Sequence, residues 1–147
     1  MSFEQIINNE SQEPNLGVPV LFGGILITSD AVDMELLNAF EELQSDDGSD
    51  LIVELIDLYL KDAPQRMLAI REAALANEWV LLKRAVHNLK GSSANLGVLH
   101  LAETCKELER IECEHSPEVV GELLQQMDNE FARASEALLS ERQRRLQ

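Results

Sequence analysis

Aromatic residues make up only 4% of this 147-residue chain, and cysteine occurs twice. Cys105 and Cys113 lie in one helix-patterned stretch, too few for a disulfide-built secreted fold, so reduced thiols and a cytoplasmic setting are expected. No apolar run can cross a bilayer: the most apolar stretch, 18–27, is short and carries Pro19, Gly23 and Gly24. The start, Met1-Ser2-Phe3-Glu4, lacks the basic segment of a secretion signal. Basic residues are scarce as well, 12 against 27 acidic ones for a net charge of -15. Such a surface repels phosphate backbones and anionic lipid, which argues against nucleic acid or membrane as a partner. The length fits a single domain and leaves no room for a fused nucleotide-binding kinase domain.

What the chain does contain is helix-forming material. The chain is rich in Leu, Ala, Glu and Gln, and a 45% hydrophobic share with so few rings suits helices packed on helices, an all-α protein. Residues 1–30 are the exception: Asn8, Asn9, Pro14, Gly17, Pro19, Gly23 and Gly24 predict an irregular arm, whose apolar stretch can lie on the bundle as a strand-like cover. After Thr28-Ser29-Asp30, which offer capping oxygens, Val32, Leu36, Leu37, Phe40 and Leu43 predict a first helix over 31–44. A second, over 50–76, follows from Ile52, Ile56, Tyr59, Ala63, Met67, Ile70 and Ala74, with a kink expected at Pro64. Third and fourth helices at 78–95 and 98–114 form an antiparallel hairpin broken by Gly97, and a fifth begins at Pro117 and runs to the Arg142–Arg145 tail. Helices two to five then make an antiparallel four-helix bundle, with the first helix an addition at its end or side, in a domain spanning 31–145.

His87 draws attention on the third helix. At about 100° per residue, Leu82, Ala85, Leu89, Ser92 and Leu96 fall opposite the imidazole and define the core face. Lys83, Arg84, Lys90, Gly91 and Ala94 fall beside it, so the ring stands on the wet face among cations rather than in the core, where a lone His is more often found. Residues 79–102 hold no Asp or Glu, although about four would fall there if acids were spread evenly. An electropositive spot on an acidic body suits a phosphoryl group or an acidic partner pocket. Gly91, one turn beyond His87, costs about 1 kcal/mol against Ala in a helix interior, and on the wet face it leaves bare backbone for another protein to approach. His87 and Glu109 lie about 15 and 18 Å from Gly97 along the two helices, so they can be lateral neighbours. A carboxylate accepting from Nδ1–H would leave the lone pair on Nε2 for nucleophilic attack.

The run His87-Asn-Leu-Lys90-Gly91-Ser92-Ser93-Ala-Asn-Leu-Gly97, followed by Leu101, Cys105, Leu108 and Glu109, resembles the signature of histidine-containing phosphotransfer (HPt) domains of two-component phosphorelays. Residues 55–64 resemble the family's second-helix segment, and the likeness extends over about 31–140. The resemblance implies a bundle whose His87 takes a phosphoryl group from a receiver's aspartyl phosphate and returns it to a second receiver. It implies a carrier with no kinase activity of its own and no cofactor, Mg²⁺ residing on the receiver. By the same resemblance Lys90 is the nearby cation, with Lys83 and Arg84 able to assist, Gly91 the clearance residue, Ser92 a helix-stabilising neighbour and Gly97 the turn. Glu109 stands where some members carry a Gln that bonds the unphosphorylated ring nitrogen. The expected partners are receiver domains of response regulators and hybrid sensor kinases, met by a monomer.

Rival readings are weaker. The dimerisation helix of a sensor kinase usually has a Pro soon after its His, and none occurs here before Pro117. Glu112-x-x-His115 has the spacing of a di-iron ligand pair, but His100 lacks a matching Glu, and Cys105, Cys113 and His115 are too sparse for zinc. The turn Asp46-Asp47-Gly48-Ser49-Asp50 lacks the later Gly and Glu of a calcium loop. A scaffold that binds receivers without carrying phosphate is the remaining alternative.

Overall fold

The structure, a computed structural model, describes residues 20–22, 25–27, 30–43, 50–111 and 117–147. The chain divides into two units, Met1–Asp30 and Ala31–Gln147. In the first, β1 (Val20–Phe22) pairs antiparallel with β2 (Ile25–Ile27), Val20 facing Ile27 and Phe22 facing Ile25. The N-terminal arm thus contains a regular pair of antiparallel strands, both runs being built of β-branched or bulky apolar residues.

The second unit holds α1 (Met34–Asn38), continued by a 3₁₀ turn at Ala39–Leu43, then α2 (Leu51–Leu75), α3 (Trp79–Asn95), α4 (Leu99–Glu109) and α5 (Pro117–Arg145). Helices α2 to α5 pack each on the next, and α5 closes back on α2, which makes the antiparallel four-helix bundle. Its centre is aliphatic, with Ile56, Ile70, Leu82, Val86, Leu89, Leu101, Leu108, Met127 and Leu138 fully buried. Tyr59 adds a polar handle: its hydroxyl lies 2.7 Å from Ser93 Oγ, while its ring tilts against Phe131 with centroids 6.1 Å apart. Burial pushes the Tyr59 phenol well above its usual range, so it stays neutral. Helix α2 runs uninterrupted through Pro64.

Local chemistry explains most boundaries. Asp50 caps α2 by accepting from the Ile52 and Val53 amides at 2.9 and 3.3 Å. Pro117 opens α5, where its missing N–H costs nothing. The α2–α3 and α3–α4 turns are built alike. Asn77 (φ 56°) and Gly97 (φ 81°) take the left-handed conformation, and the next residue's amide returns to the carbonyl five back, Glu78 to Ala73 and Val98 to Ser93, each at 2.9 Å.

Three boundaries depart from the sequence reading. The first helix begins at Met34, not 31, because its cap is Asp33 rather than 28–30; Asp33 Oδ1 accepts from the Glu35 and Leu36 amides. The Asp33 amide in turn donates to Gly97 O at 2.7 Å, a tertiary bond that fixes the helix start against the α3–α4 turn. The fourth helix ends at Glu109, not 114, as the Arg110 and Ile111 amides tighten onto Glu107 and Leu108 at 3.1 and 3.2 Å. The arginine tail belongs to α5: Arg145 is buried among Asn38, Glu41, Asp50 and Glu141, and Arg142 pairs with Asp57. These contacts bind the end of α5 to α1 and to the start of α2.

Gly97 supports a sharp expectation. A Cβ there would stand 2.6 Å from Asp33 O, in a backbone conformation that L side chains resist. Gly97→Ala should therefore cost at least about 2 kcal/mol, measured by denaturant titration. Asn77→Gly, at the equivalent turn, should not destabilise. Equal stabilities for wild type and Gly97→Ala would show that the turn relaxes freely.

Candidate functional site

The imidazole of His87 projects from the middle of α3, with its side chain 68% exposed. The wet-face expectation holds for it, and the core face is rotated slightly from the one expected. Leu82, Leu89 and Leu96 are buried as read, but Val86 and Ser93 complete the face, while Ala85 and Ser92 are only half-buried. The wheel was centred on the pole opposite His87, whereas α3 turns its Val86 side inward because it must meet both α2 and α4. Ser92 does bond its own helix, Oγ donating to Leu89 O at 3.2 Å. The buried tie to the neighbouring helix belongs to Ser93, which the sequence reading missed; the polar tip of Tyr59 on the apolar face of α2 was the signal that a buried hydroxyl would face it.

Glu109, the last residue of α4, sits beside the ring. Its Oε2 lies 2.7 Å from His87 Nδ1 and its Oε1 lies 2.5 Å from Lys90 Nζ. The antiparallel hairpin set by Gly97 brings the three together across 22 residues of sequence. Although burial raises the Glu109 carboxyl, hydrogen bonds from Lys90 and His87 and their charges outweigh it and hold the group below the usual carboxylate range. Glu109 is therefore ionised at neutral pH. The sign follows: a carboxylate with a lowered folded value stabilises the hairpin above its unfolded range near 4.5, and that contribution is lost as pH falls through the folded value. With an anion at Nδ1, the proton rests on Nδ1 and the lone pair on Nε2. The carboxylate is felt one turn away as well: Cys105 is fully buried, and burial first, then Glu109, pushes its thiol up to about 12.

The remaining site residues distribute around this cluster. Lys90 is only 26% exposed and is engaged by Glu109, so its charge is partly spent within the protein. Lys83 is half-buried and Arg84 exposed, one turn before the ring. Arg84 and Asn88 line a groove between α2 and α3 together with Asp62, Arg66 and Leu81. Gly91 is exposed, and a Cβ built on it would meet nothing within 4 Å. That removes close helix packing as the reason for this glycine. Among the described residues no group of three or more His, Cys, Asp or Glu is placed to hold a metal, and no helix is long and apolar enough to cross a membrane. Glu112, Cys113 and His115, together with Asp46-Asp47-Gly48-Ser49, lie outside the described residues.

An exposed helical imidazole with one nitrogen bonded to a carboxylate thus stands on an antiparallel four-helix bundle, and comparison with known proteins gives the family. The profile described as Hpt domain matches residues 54–137, and the chain belongs to that family. Among solved structures, the crystal structure of histidine-containing phosphotransfer protein B (HptB) from Pseudomonas aeruginosa PAO1 is similar at a TM-score of 0.70 and 29% identity, covering 80% of this chain and 98% of that one. No curated protein matches. Histidine phosphotransfer within phosphorelays, as a phosphocarrier that meets receiver domains, is therefore the general activity of the fold described here.

Proposed function

We propose that His87 is the phospho-acceptor, taking a phosphoryl group on Nε2 from the aspartyl phosphate of one receiver domain and passing it to an aspartate of another. The observation that carries this reading is the 2.7 Å contact between Nδ1 and the Glu109 carboxylate, on a ring otherwise open to solvent. In the uptake step the Nε2 lone pair forms the P–N bond, the P–O bond of the acyl phosphate breaks, and its electron pair leaves with the receiver's carboxylate. The proton on Nδ1 stays where it is, held by Glu109. Phosphoryl transfer depends chiefly on in-line positioning and charge neutralisation, so the receiver and its Mg²⁺ supply most of the catalysis, and this chain holds no cofactor of its own. Lys90, with Lys83 and Arg84, offsets the charge of the incoming group. Gly91 gives the receiver clearance, and Ser92 and Gly97 support the helix and turn that present the imidazole. Exchange in both directions suits a cytosolic monomer that meets its receivers one at a time.

The test mixes the full chain with receivers carrying labelled aspartyl phosphate, then adds an unphosphorylated receiver. Label should move onto the chain in an acid-labile, base-stable form and then onto the second receiver. Receivers that bind tightly yet transfer no label would instead establish a scaffold that carries no phosphate.

A further inference from the structure

The last residue of α5 is a buried arginine, and it holds a segment from the other end of the domain. Only 7% of the Arg145 side chain is exposed. Its Nε donates to Glu141 at 2.8 Å, one terminal nitrogen donates to Asp50 at 3.2 Å, and the other donates to Asn38 and Glu41 at 2.8 and 2.7 Å. We propose that Arg145 is a positioning residue for exchange with receivers: it clamps the end of α1 and the following 3₁₀ turn onto the bundle, and so completes a groove beside His87 that a docked receiver covers. This rests on the reading that receivers meet the chain at His87.

The clamp matters because little else holds that stretch. Helix α1 is five residues long, too short to persist on its own. Its start is fixed by the fully buried Leu37 and by the Asp33 amide bonded to Gly97 O, but the turn Ala39–Leu43 contains no buried residue, and Phe40 is only half-buried. Beyond Leu37 the attachment therefore depends on Arg145. Burial raises the Asp50 carboxyl, but Arg145 and the Val53 and Ile52 amides outweigh it and hold the group below its usual range, so the clamp stays charged at neutral pH. Without the guanidinium, Glu41 would stand near Asp50 and Glu141 with their shared counter-charge gone, and attraction would become repulsion.

What the clamp positions is Phe40, one wall of a groove whose other walls include Leu55, Leu58 and Tyr59 of α2 and Ser92 and Asn95 of α3. His87, Gly91 and Asn95 follow at intervals of four on α3 and so share one ridge, with Asn95 about 12 Å from His87 along the axis. An interface of about 800 Å² per partner, centred on the imidazole, reaches roughly 16 Å outward. The groove falls inside that footprint. Its lining is largely apolar, with Leu58 61% exposed, which suits apolar side chains of a receiver.

The experiment compares the wild-type full chain with Arg145→Gln. Hydrogen exchange over 38–43 should lose most of its protection, while amides of α3 and α4 keep theirs. If release leaves the turn seated about a fifth of the time, KM for transfer from an aspartyl-phosphorylated receiver should rise about fivefold with the maximal rate kept. Uptake from phosphoramidate, which needs no receiver, should be unchanged. Arg145→Lys, which keeps the cation without the planar fork, should recover part of the KM. Arg144→Gln, at an exposed neighbour bonded to Glu141, should change neither exchange nor KM, and an effect equal to that of Arg145→Gln would overturn the proposal. Loosening of 38–43 with an unmoved KM would make the clamp purely structural and overturn it too. Unaltered protection of 38–43 would do the same, as would loss of phosphoramidate uptake, which places the damage at the imidazole. Should Arg145→Gln fail to fold, Glu41→Gln decides, because it weakens the hold on the turn while Arg145 stays bonded to Asp50 and Glu141: a raised KM supports the proposal and an unmoved KM overturns it. A wild-type chain that takes phosphate from no receiver would overturn the phosphocarrier reading itself, a distinct result.

Discussion

Replacing His87 by Gln should leave a folded bundle of unchanged stability that takes up no phosphoryl group. The fold is indifferent to the change because the side chain is 68% exposed and contributes nothing to the buried core of α3, which is Leu82, Val86, Leu89 and Ser93. Gln can still donate an amide N–H towards Glu109, and Lys90 remains bonded to that carboxylate, so no charge is stranded. Chemistry is lost entirely, since an amide nitrogen has no available lone pair to attack phosphorus. Far-UV circular dichroism and the denaturation midpoint should match wild type, while label from phosphorylated receivers should fall to background. The other histidine among the described residues, His100 on α4, makes a useful internal control, because His100→Gln should leave uptake intact. Label surviving in His87→Gln, or label resistant to acid, would transfer the acceptor role to another side chain.

The helices of the bundle were legible because each carries its own period and punctuation. Asp50, Gly97 and Pro117 are local signals, and they lie within a residue or two of where α2, α3, α4 and α5 begin or end; Asn77, which turns the chain between α2 and α3, carries no such signal in the sequence reading. The start of α1 was not legible, since Asp33 becomes its cap partly through a bond to Gly97 O, 64 positions along the chain. The inward role of Ser93 rather than Ser92 depends on how α3 is rotated between two neighbours, which a single-helix wheel centred on His87 does not contain. The same holds for Lys90. Sequence places it one turn from His87 as a free cation, but only the packed hairpin shows that Glu109 already holds it. His87, Gly91 and Glu109 were readable because their places depend on helical period and on similar arm lengths about one turn, both of which survive folding unchanged.

Gly91→Gln should give a protein that is more stable and works worse, two effects of opposite sign from one substitution. Gly in a helix interior costs about 1 kcal/mol of backbone entropy and solvation relative to good helix formers, and Gln recovers most of it. The gain is not offset by a clash, because Gly91 is exposed and a Cβ there meets no atom within 4 Å. The denaturation midpoint should therefore hold or rise. The new side chain, however, begins one turn from His87 and leans back towards the N-terminus of α3, as helical side chains do, which brings it over the surface beside the imidazole. A receiver must approach that surface closely for its aspartate to reach Nε2 in line. Transfer from phosphorylated receivers should accordingly fall by on the order of tenfold or more, equivalent to about 1.4 kcal/mol of lost docking. Uptake from phosphoramidate, a donor too small to need the clearance, should be nearly unchanged. That contrast separates obstruction of a partner from damage to the imidazole. If stability instead drops while the folded fraction accepts phosphate from receivers at the wild-type rate, Gly91 serves packing, and the receiver approaches His87 from another side.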